Sequence, residues 1–530
     1  MGAASRFAGP DNIKAAEGWT IERLTRPSRL FGANGLRTGP DGRIYVAQVP
    51  GSAVTALDPD SGEAEVISAI DGPITAPDDI AFDSAGNMYS TELTVGRISM
   101  LTPSGEYRVI DDDMPVANPI TVHNDRLIAG ECRVGGRIFE LDTNGGARRT
   151  IMDNVPMPNA FEIGPDGKLY IPVMGTNEIW RVAPAGGPHD VVVGDLGVPD
   201  SVKFDSKGRI VTTQVASGHV LRIDPQTGER EVLASLSPGL DNCTFVGDRL
   251  FVSSIPGEVT EILANGEVRP LVKGGLQWPM GLALSIEGKL FVADGGFDYM
   301  LGEGGSLDLV GFLFAPGFPG FTRGVAASGP GEWVVTNSMG AVVRWRPADG
   351  ESEFVSAGHE VLYGVAVASD GAVVFADGGA GRVLRAQGTD VEELASGLDT
   401  PMGVAVDSDG TIYASESGGR RIVKCARGKT ETVFDGVGQP QGIAIADGKL
   451  YAVDIEGKRV LRHDLAESTT ETIASNLPVS APPGVIPKLL GAVGDMSGPM
   501  VPFCGITVAQ DGTVYLAGDA EGSVLALRPV

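Results

Sequence analysis

The sequence lacks most of the features that would announce a chemistry at once. It has only four cysteines, Cys132, Cys243, Cys425 and Cys504. They are far apart and form no Cys-x-x-Cys pair, so neither a zinc site nor a disulfide framework is signalled, and buried free thiols are expected. Histidine is scarce, with five in 530 residues. No Gly-x-Ser-x-Gly elbow, P-loop, dinucleotide fingerprint or His-Glu-x-x-His occurs, which argues against serine hydrolases, nucleotide enzymes and zincins. Positive charge is also short: 41 Lys and Arg stand against 68 Asp and Glu, a net charge of −27, with no basic cluster. Neither nucleic acid nor an anionic membrane is therefore an expected partner. No apolar run reaches membrane-spanning length, and the first twenty residues lack the apolar core of a secretory signal, so a cytoplasmic protein is expected.

What the chain does have is repetition. With Gly 75 and Pro 35 it is rich in turn formers, and one pattern recurs about every forty residues. Compare PDDIAFDSAGNMYSTELTVGRISMLTPSGEYRVI with PMGVAVDSDGTIYASESGGRRIVKCARGKTETVF. Each unit has an apolar strand, a tight turn of the Asp-Gly kind, a second strand, a third rich in Val, Ile, Leu and Arg, and a fourth. That is a four-stranded propeller blade. The fold class is all-β, a β-propeller of twelve four-stranded repeats. Two six-bladed rings are preferred, dividing the chain into 1–265 and 266–530, and one twelve-bladed ring is the alternative. In the tandem arrangement WTIERLTR would complete the sixth blade and EVRPLV would cross over to complete the twelfth. An apolar, Pro-rich insertion at 478–503 reads as a lid over one mouth.

The residue that opens the innermost strand of each repeat serves as a register mark. In order these are Asn34, Asp78, Asn118, Asn159, Asp200 and Asp241, then Met280, Arg323, Tyr363, Met402, Gln441 and Cys504. The first six are all carboxylates or carboxamides, which a hard cation prefers. Ca²⁺ is the first choice, with Mg²⁺, Mn²⁺ or Zn²⁺ as alternatives, and these six residues are the candidate ligands, Asn34 and Asp241 among them, with Asp78 also a candidate substrate contact. In the second half the lining is mostly apolar, with Arg323 as a cation for a carboxylate or carbonyl, Tyr363 beside it, and His359 on the same face for acid–base work. Glu92 and Glu131, near second-strand ends, are candidate supporting acids.

Over residues 18–275 the repeats resemble the senescence marker protein/gluconolactonase family of six-bladed, metal-dependent lactonases. The resemblance rests on VANPITV, MPNAFEI and VPDSVKF. It implies that Asn159 and Asp200 bind metal, that Asp200 is also the general base, and that Asn118 orients substrate. Asn34, in FGANGLRTG, stands where that family has a glutamate. YSTELTVGRISMLTPSGEYRVI resembles the blade pattern of virginiamycin B lyase, which opens a cyclic ester by elimination. The expectation is a metal-dependent hydrolase that opens a lactone or similar cyclic small molecule, with a fairly apolar substrate. A metal-dependent ring-opening lyase and a non-catalytic scaffold are the alternatives.

Overall fold

The computed structural model describes residues 12–144, 146–426, 428–481, 491–494 and 496–530. Among these are twelve antiparallel sheets, eleven of four strands and one extended to five by the short strand Lys14–Ala15. No helix among the described residues is long and apolar enough to cross a membrane. Burial follows the strand position. Second strands such as Ile44–Gln48 and Met88–Glu92 are buried along their whole length, because a neighbouring sheet covers each face. Outer strands such as Arg230–Ser235 and Lys429–Phe434 are mostly exposed and carry the charge. Between the second and third sheets Ile98, Met114, Ile120, Leu127 and Phe139 interlock. Each such side chain contributes about 1.5–3 kcal/mol of burial.

The sheets fall into two compact units. The first comprises 29–274 with 491–494, and the second comprises 12–28, 275–481 and 496–530. In the first, the innermost strands of six sheets abut in sequence, and the sixth, Leu240–Val246, returns to the first, Leu36–Thr38. Asn34 Nδ2 donates to Asp241 Oδ2 at 3.0 Å, and the Thr38 N–H donates to Thr244 Oγ1 at 3.0 Å. In the second, the last innermost strand, Ile506–Val508, returns to Leu282–Leu284. There the Gly505 N–H donates to Met280 O at 2.9 Å. Only glycine permits this approach, since a Cβ at position 505 would lie 2.2 Å from that oxygen.

The completion of the sheets differs from expectation. Trp19–Arg23 does not complete the sixth sheet; it pairs with the last strand, Trp19 opposite Pro529 and Arg23 opposite Leu525. Val268–Val272 does not cross over, but stays beside Glu258–Ile262. The reason is local, because ANGE is a tight hairpin turn that leaves no chain for a crossing. The boundary between units accordingly follows Gly274, and residues 12–28 belong with the second unit. Of the insertion at 478–503, residues 482–490 and 495 lie outside the described residues.

A bulge at the mouth end of the innermost strands sets the register residues. In the second sheet Pro77 pairs with Glu92 and Ile80 with Ser90, so Asp78 and Asp79 together oppose the single Thr91. The same shift occurs at 118–119, 200–201 and 241–242. Such a bulge kinks the strand and re-aims its side chains. A hydroxyl opposite the bulge often satisfies the displaced backbone. Ser253 accepts the Asn242 N–H at 2.9 Å and donates to Asn34 O of the first sheet at 2.6 Å. Ser415 does the same in the second unit, between the Gly403 N–H at 2.7 Å and Gln441 O at 2.5 Å.

Candidate active site

The six register residues of the first unit are all buried, between 4 and 7% exposed. They divide by how their polar atoms are used. The Asn34 oxygen accepts the Val49 N–H at 3.1 Å, and the Asn159 oxygen accepts the Ala160 N–H at 2.8 Å. Each therefore turns its amide nitrogen to an acid: Asn34 to Asp241, and Asn159 to Asp200 Oδ2 at 2.9 Å. These two amides act as donors that orient carboxylates, and their oxygens are committed to backbone. Asn118 is different, because its Oδ1 is buried without a hydrogen-bond partner. A buried acceptor left open in this way is costly unless something donates to it or coordinates it.

Three carboxylates, Asp78, Asp200 and Asp241, remain in this mouth, and among the described residues no cationic side chain forms an ion pair with any of them. Burial, and then the charge of Asp79, pushes Asp78 up to about 7. Burial, followed by the charges of Asp78 and Asp79, raises Asp200 well above the usual carboxylate range. Asp241 is raised by burial and by Asp200 and Asp78, against the opposing hydrogen bond from Asn34. The Cys132 thiol feels all three acids and is raised well above its ordinary value, by burial first, so it is not a nucleophile.

Below this layer lies a second polar layer that the sequence reading did not anticipate. Arg37 reaches across from the first sheet to Glu162 of the fourth, Nη1 to Oε2 at 2.5 Å, and also donates to Ile80 O at 2.9 Å and Ile120 O at 3.1 Å. Asp79 is 4.0 Å from the guanidinium, and Lys203 Nζ is 3.8 Å from Glu162. Thr121 donates to Glu162 Oε1 at 2.9 Å. Two cations and two anions balance here, while the layer above carries three acids and no cation. The signal was available: Arg37, Glu162 and Lys203 each stand three residues after a register residue, inside an innermost strand.

A charge rule predicts how stability depends on pH. An acid whose folded pKa is raised contributes stability that is fully present below its unfolded value, near 4, and lost as pH rises through the folded value. For Asp78 that window runs from about 4 to about 7. Asp78→Asn should therefore melt higher than the wild type at pH 8, by roughly 5 °C or more, and nearly equally at pH 4. Thermal melts of both proteins at the two pH values check this.

Glu92 and Glu131 are not supporting acids of this site. Both are fully buried. Glu92 accepts the Thr75 N–H at 2.9 Å, Arg97 Nε at 2.9 Å and the Tyr107 hydroxyl at 2.7 Å. Glu131 is paired with Arg133 and Arg137. An acid ending the second strand and an arginine opening the third recur at Asp377 and Arg382, Glu416 and Arg421, and Asp454 and Arg459, so this is a fastening of the blade.

Arg323, Tyr363 and His359 belong to the second unit and are not part of the Asn/Asp cluster. Arg323 and Tyr363 lie together, the guanidinium carbon 6.0 Å from the ring centre. His359 is set apart from them: its ring packs edge-on against Phe375 with centres 5.0 Å apart, its Nδ1 is 3.4 Å from Asp377 Oδ2, and its Nε2 is 2.7 Å from Ser356 Oγ. Burial lowers its pKa. The channel of this unit is a cavity of about 360 Å³ bordered by Gly281, Gly324, Gly364, Gly403, Gly442 and Gly505 and by aliphatic side chains. Among the described residues its lining includes no carboxylate, histidine or cysteine.

One comparison with known proteins falls within the first unit. Residues 120–256 match the SMP-30/Gluconolactonase/LRE-like region. This stretch runs from the innermost strand of the third sheet into the sixth and contains Asn159, Asp200 and Asp241. Among solved structures the chain is similar to a streptogramin B lyase, at 17% identity over 52% of this chain and 94% of that one, with a TM-score of 0.39. It is also similar to virginiamycin B lyase from Staphylococcus aureus, at 13% identity over 62% and 97%, TM-score 0.39. A gluconolactonase of Xanthomonas campestris is similar at 16% identity over 48% and 96%, TM-score 0.39. No curated protein matches the sequence significantly.

Proposed function

We propose that the first unit is a hydrolase that opens a lactone or a similar cyclic ester, and that it works with a bound divalent cation, Ca²⁺ first among the candidates. The observation that carries this reading is the set of three buried carboxylates, Asp78, Asp200 and Asp241, held without a cationic partner among the described residues above the Arg37–Glu162 pair. Among the described residues no three His, Cys, Asp or Glu side chains are grouped so that they could hold a metal ion. A cation would therefore rest on two of these carboxylates, the open Oδ1 of Asn118 and water, a donor set that suits a hard, irregularly coordinated ion. When bound, it would supply positive charge to polarise the ring carbonyl.

The remaining work falls to the chain itself. Asp200, oriented through Oδ2 by the Asn159 amide, takes a proton from water as the water oxygen bonds to the carbonyl carbon. The ring C–O bond breaks, and the proton returns to the departing alkoxide, leaving a hydroxy acid. Asn118 accepts a hydrogen bond from the substrate or the attacking water. Residues 491–494 lie against the loops of the second and third sheets, since a Cβ at Gly491 would lie 3.2 Å from Thr94 O and one at Gly494 would lie 3.3 Å from Val116 Cγ2. This supports a cover for the mouth. The Pro, Val, Leu and Met content of the insertion favours an apolar ring substituent over a sugar.

The test is acid release from a panel of alkyl-substituted and sugar lactones, followed at constant pH. Turnover should favour the alkyl lactones, fall to background after chelation and return with Ca²⁺. No turnover of any lactone with Ca²⁺, Mg²⁺, Mn²⁺ or Zn²⁺ supplied would remove the proposal.

A further inference from the structure

The second unit contains an unusual charge. Among the described residues only two cationic Lys or Arg side chains are buried, Lys203 and Arg323. Lys203 has Glu162 within 4 Å. Among the described residues Arg323 has no carboxylate within that distance, and burial pushes it down to about 10. An isolated buried cation is costly, and proteins ordinarily neutralise it with an acid.

The contacts of Arg323 are of a replaceable kind. Its Nη1 donates to Leu362 O at 2.9 Å, and its Nη2 donates to Pro499 O. These are two neutral carbonyls for a group with five N–H donors. Pro499 belongs to a strap, residues 498–503, that lies over this mouth. The Gly498 N–H donates to Ser338 Oγ at 3.1 Å, and a side chain at Gly498 would collide with Ser338 O, 1.9 Å from its Cβ. The strap's Phe503 ring is centred 6.1 Å from that of Tyr363. Met500, Met280 and Phe321 converge on Gly295, each 3.7 to 4.0 Å from where its Cβ would be. Beside the guanidinium lies the Tyr363 ring, with Phe503 next to it, and the strap's Met500 meets Met280 and Phe321 at Gly295, so this mouth holds soft apolar groups that adapt to a ligand body.

We infer that the Arg323 mouth of the second unit binds a small monocarboxylate with an apolar body, whose carboxylate displaces the Pro499 carbonyl from the guanidinium. A carboxylate offers two oxygens and a full charge where the strap offers one neutral oxygen. Charge-assisted, bidentate pairing is about twice as strong as a neutral hydrogen bond and matches the planar fork of arginine. Tyr363 and Phe503 provide faces for the body of the ligand. The strap is then a self-occluding element whose carbonyl holds the place of the ligand oxygen.

The experiment is titration calorimetry of the full chain with hexanoate and, separately, with its methyl ester. The expected result is saturable binding of one hexanoate, with the ester at least about tenfold weaker. Arg323→Gln should weaken hexanoate by about tenfold or more, and Asp200→Asn, in the first unit, should leave it unchanged. The inference is overturned if hexanoate and its ester bind alike, if neither binds up to about 10 mM, if Arg323→Gln binds as the wild type does, or if Asp200→Asn abolishes binding. Should Arg323→Gln fail to fold, the acid and ester comparison on the wild type still decides.

Discussion

Asp200→Asn should lower kcat/KM for lactone opening by about 10²–10⁴-fold, the range for loss of a positioned general base, and leave the protein at least as stable as the wild type. The two halves of this result belong together. An amide of the same shape still offers Asn159 an oxygen at Oδ, but it cannot accept the proton of the attacking water. It also removes a buried acid that burial and the charge of Asp78 hold up, and whose own charge adds to the burial that raises Asp241, so relief of burial and like-charge repulsion favours the folded state at neutral pH. Rates at constant pH beside thermal melts of the same preparation separate this outcome from misfolding. A variant that is both slow and unstable would point to a structural role for Asp200.

Arg37→Met should destabilise the first unit by about 3–5 kcal/mol, the usual effect of stranding the partner of a buried ion pair. The guanidinium links three sheets at once, through Glu162, Ile80 O and Ile120 O. Its removal leaves Glu162 and Asp79 facing Lys203 alone. The double variant Arg37→Met/Glu162→Gln should regain much of the loss, because an uncharged pair no longer has to be neutralised. Urea unfolding of the single and double variants measures both. If the single variant unfolds like the wild type, the cross-channel pair does not hold the unit closed.

The sequence reading went furthest where the signal was periodic. The repeat of about forty residues shows the twelve four-stranded sheets directly, and its register marks find the six buried Asn and Asp residues of the first unit. It fell short where partners come from different repeats. Nothing in WTIERLTR says that its neighbour is SVLALRP, more than five hundred residues away; the hairpin at Asn265 and Gly266 was the better guide, because it ties Val268–Val272 to its own sheet. Glu92 was misread because its meaning lies five residues on, in Arg97, and in the Thr75 N–H. Asn34 and Asn159 were read as oxygen ligands. The structure turns their oxygens to the Val49 and Ala160 N–H groups, a consequence of backbone geometry that composition does not show. Arg37 and Glu162 lie third after the register residues, where a charge inside an innermost strand must point into the channel or be paired.

The most direct test of the central claim is mass spectrometry of the ring-opened product formed from an alkyl lactone in ¹⁸O-enriched water. Hydrolysis at the Asp200 mouth predicts one ¹⁸O atom in the product carboxylate and a free hydroxyl at the former ring position. A ring-opened product that contains no label and has gained a carbon–carbon double bond would mean elimination, and would contradict the account.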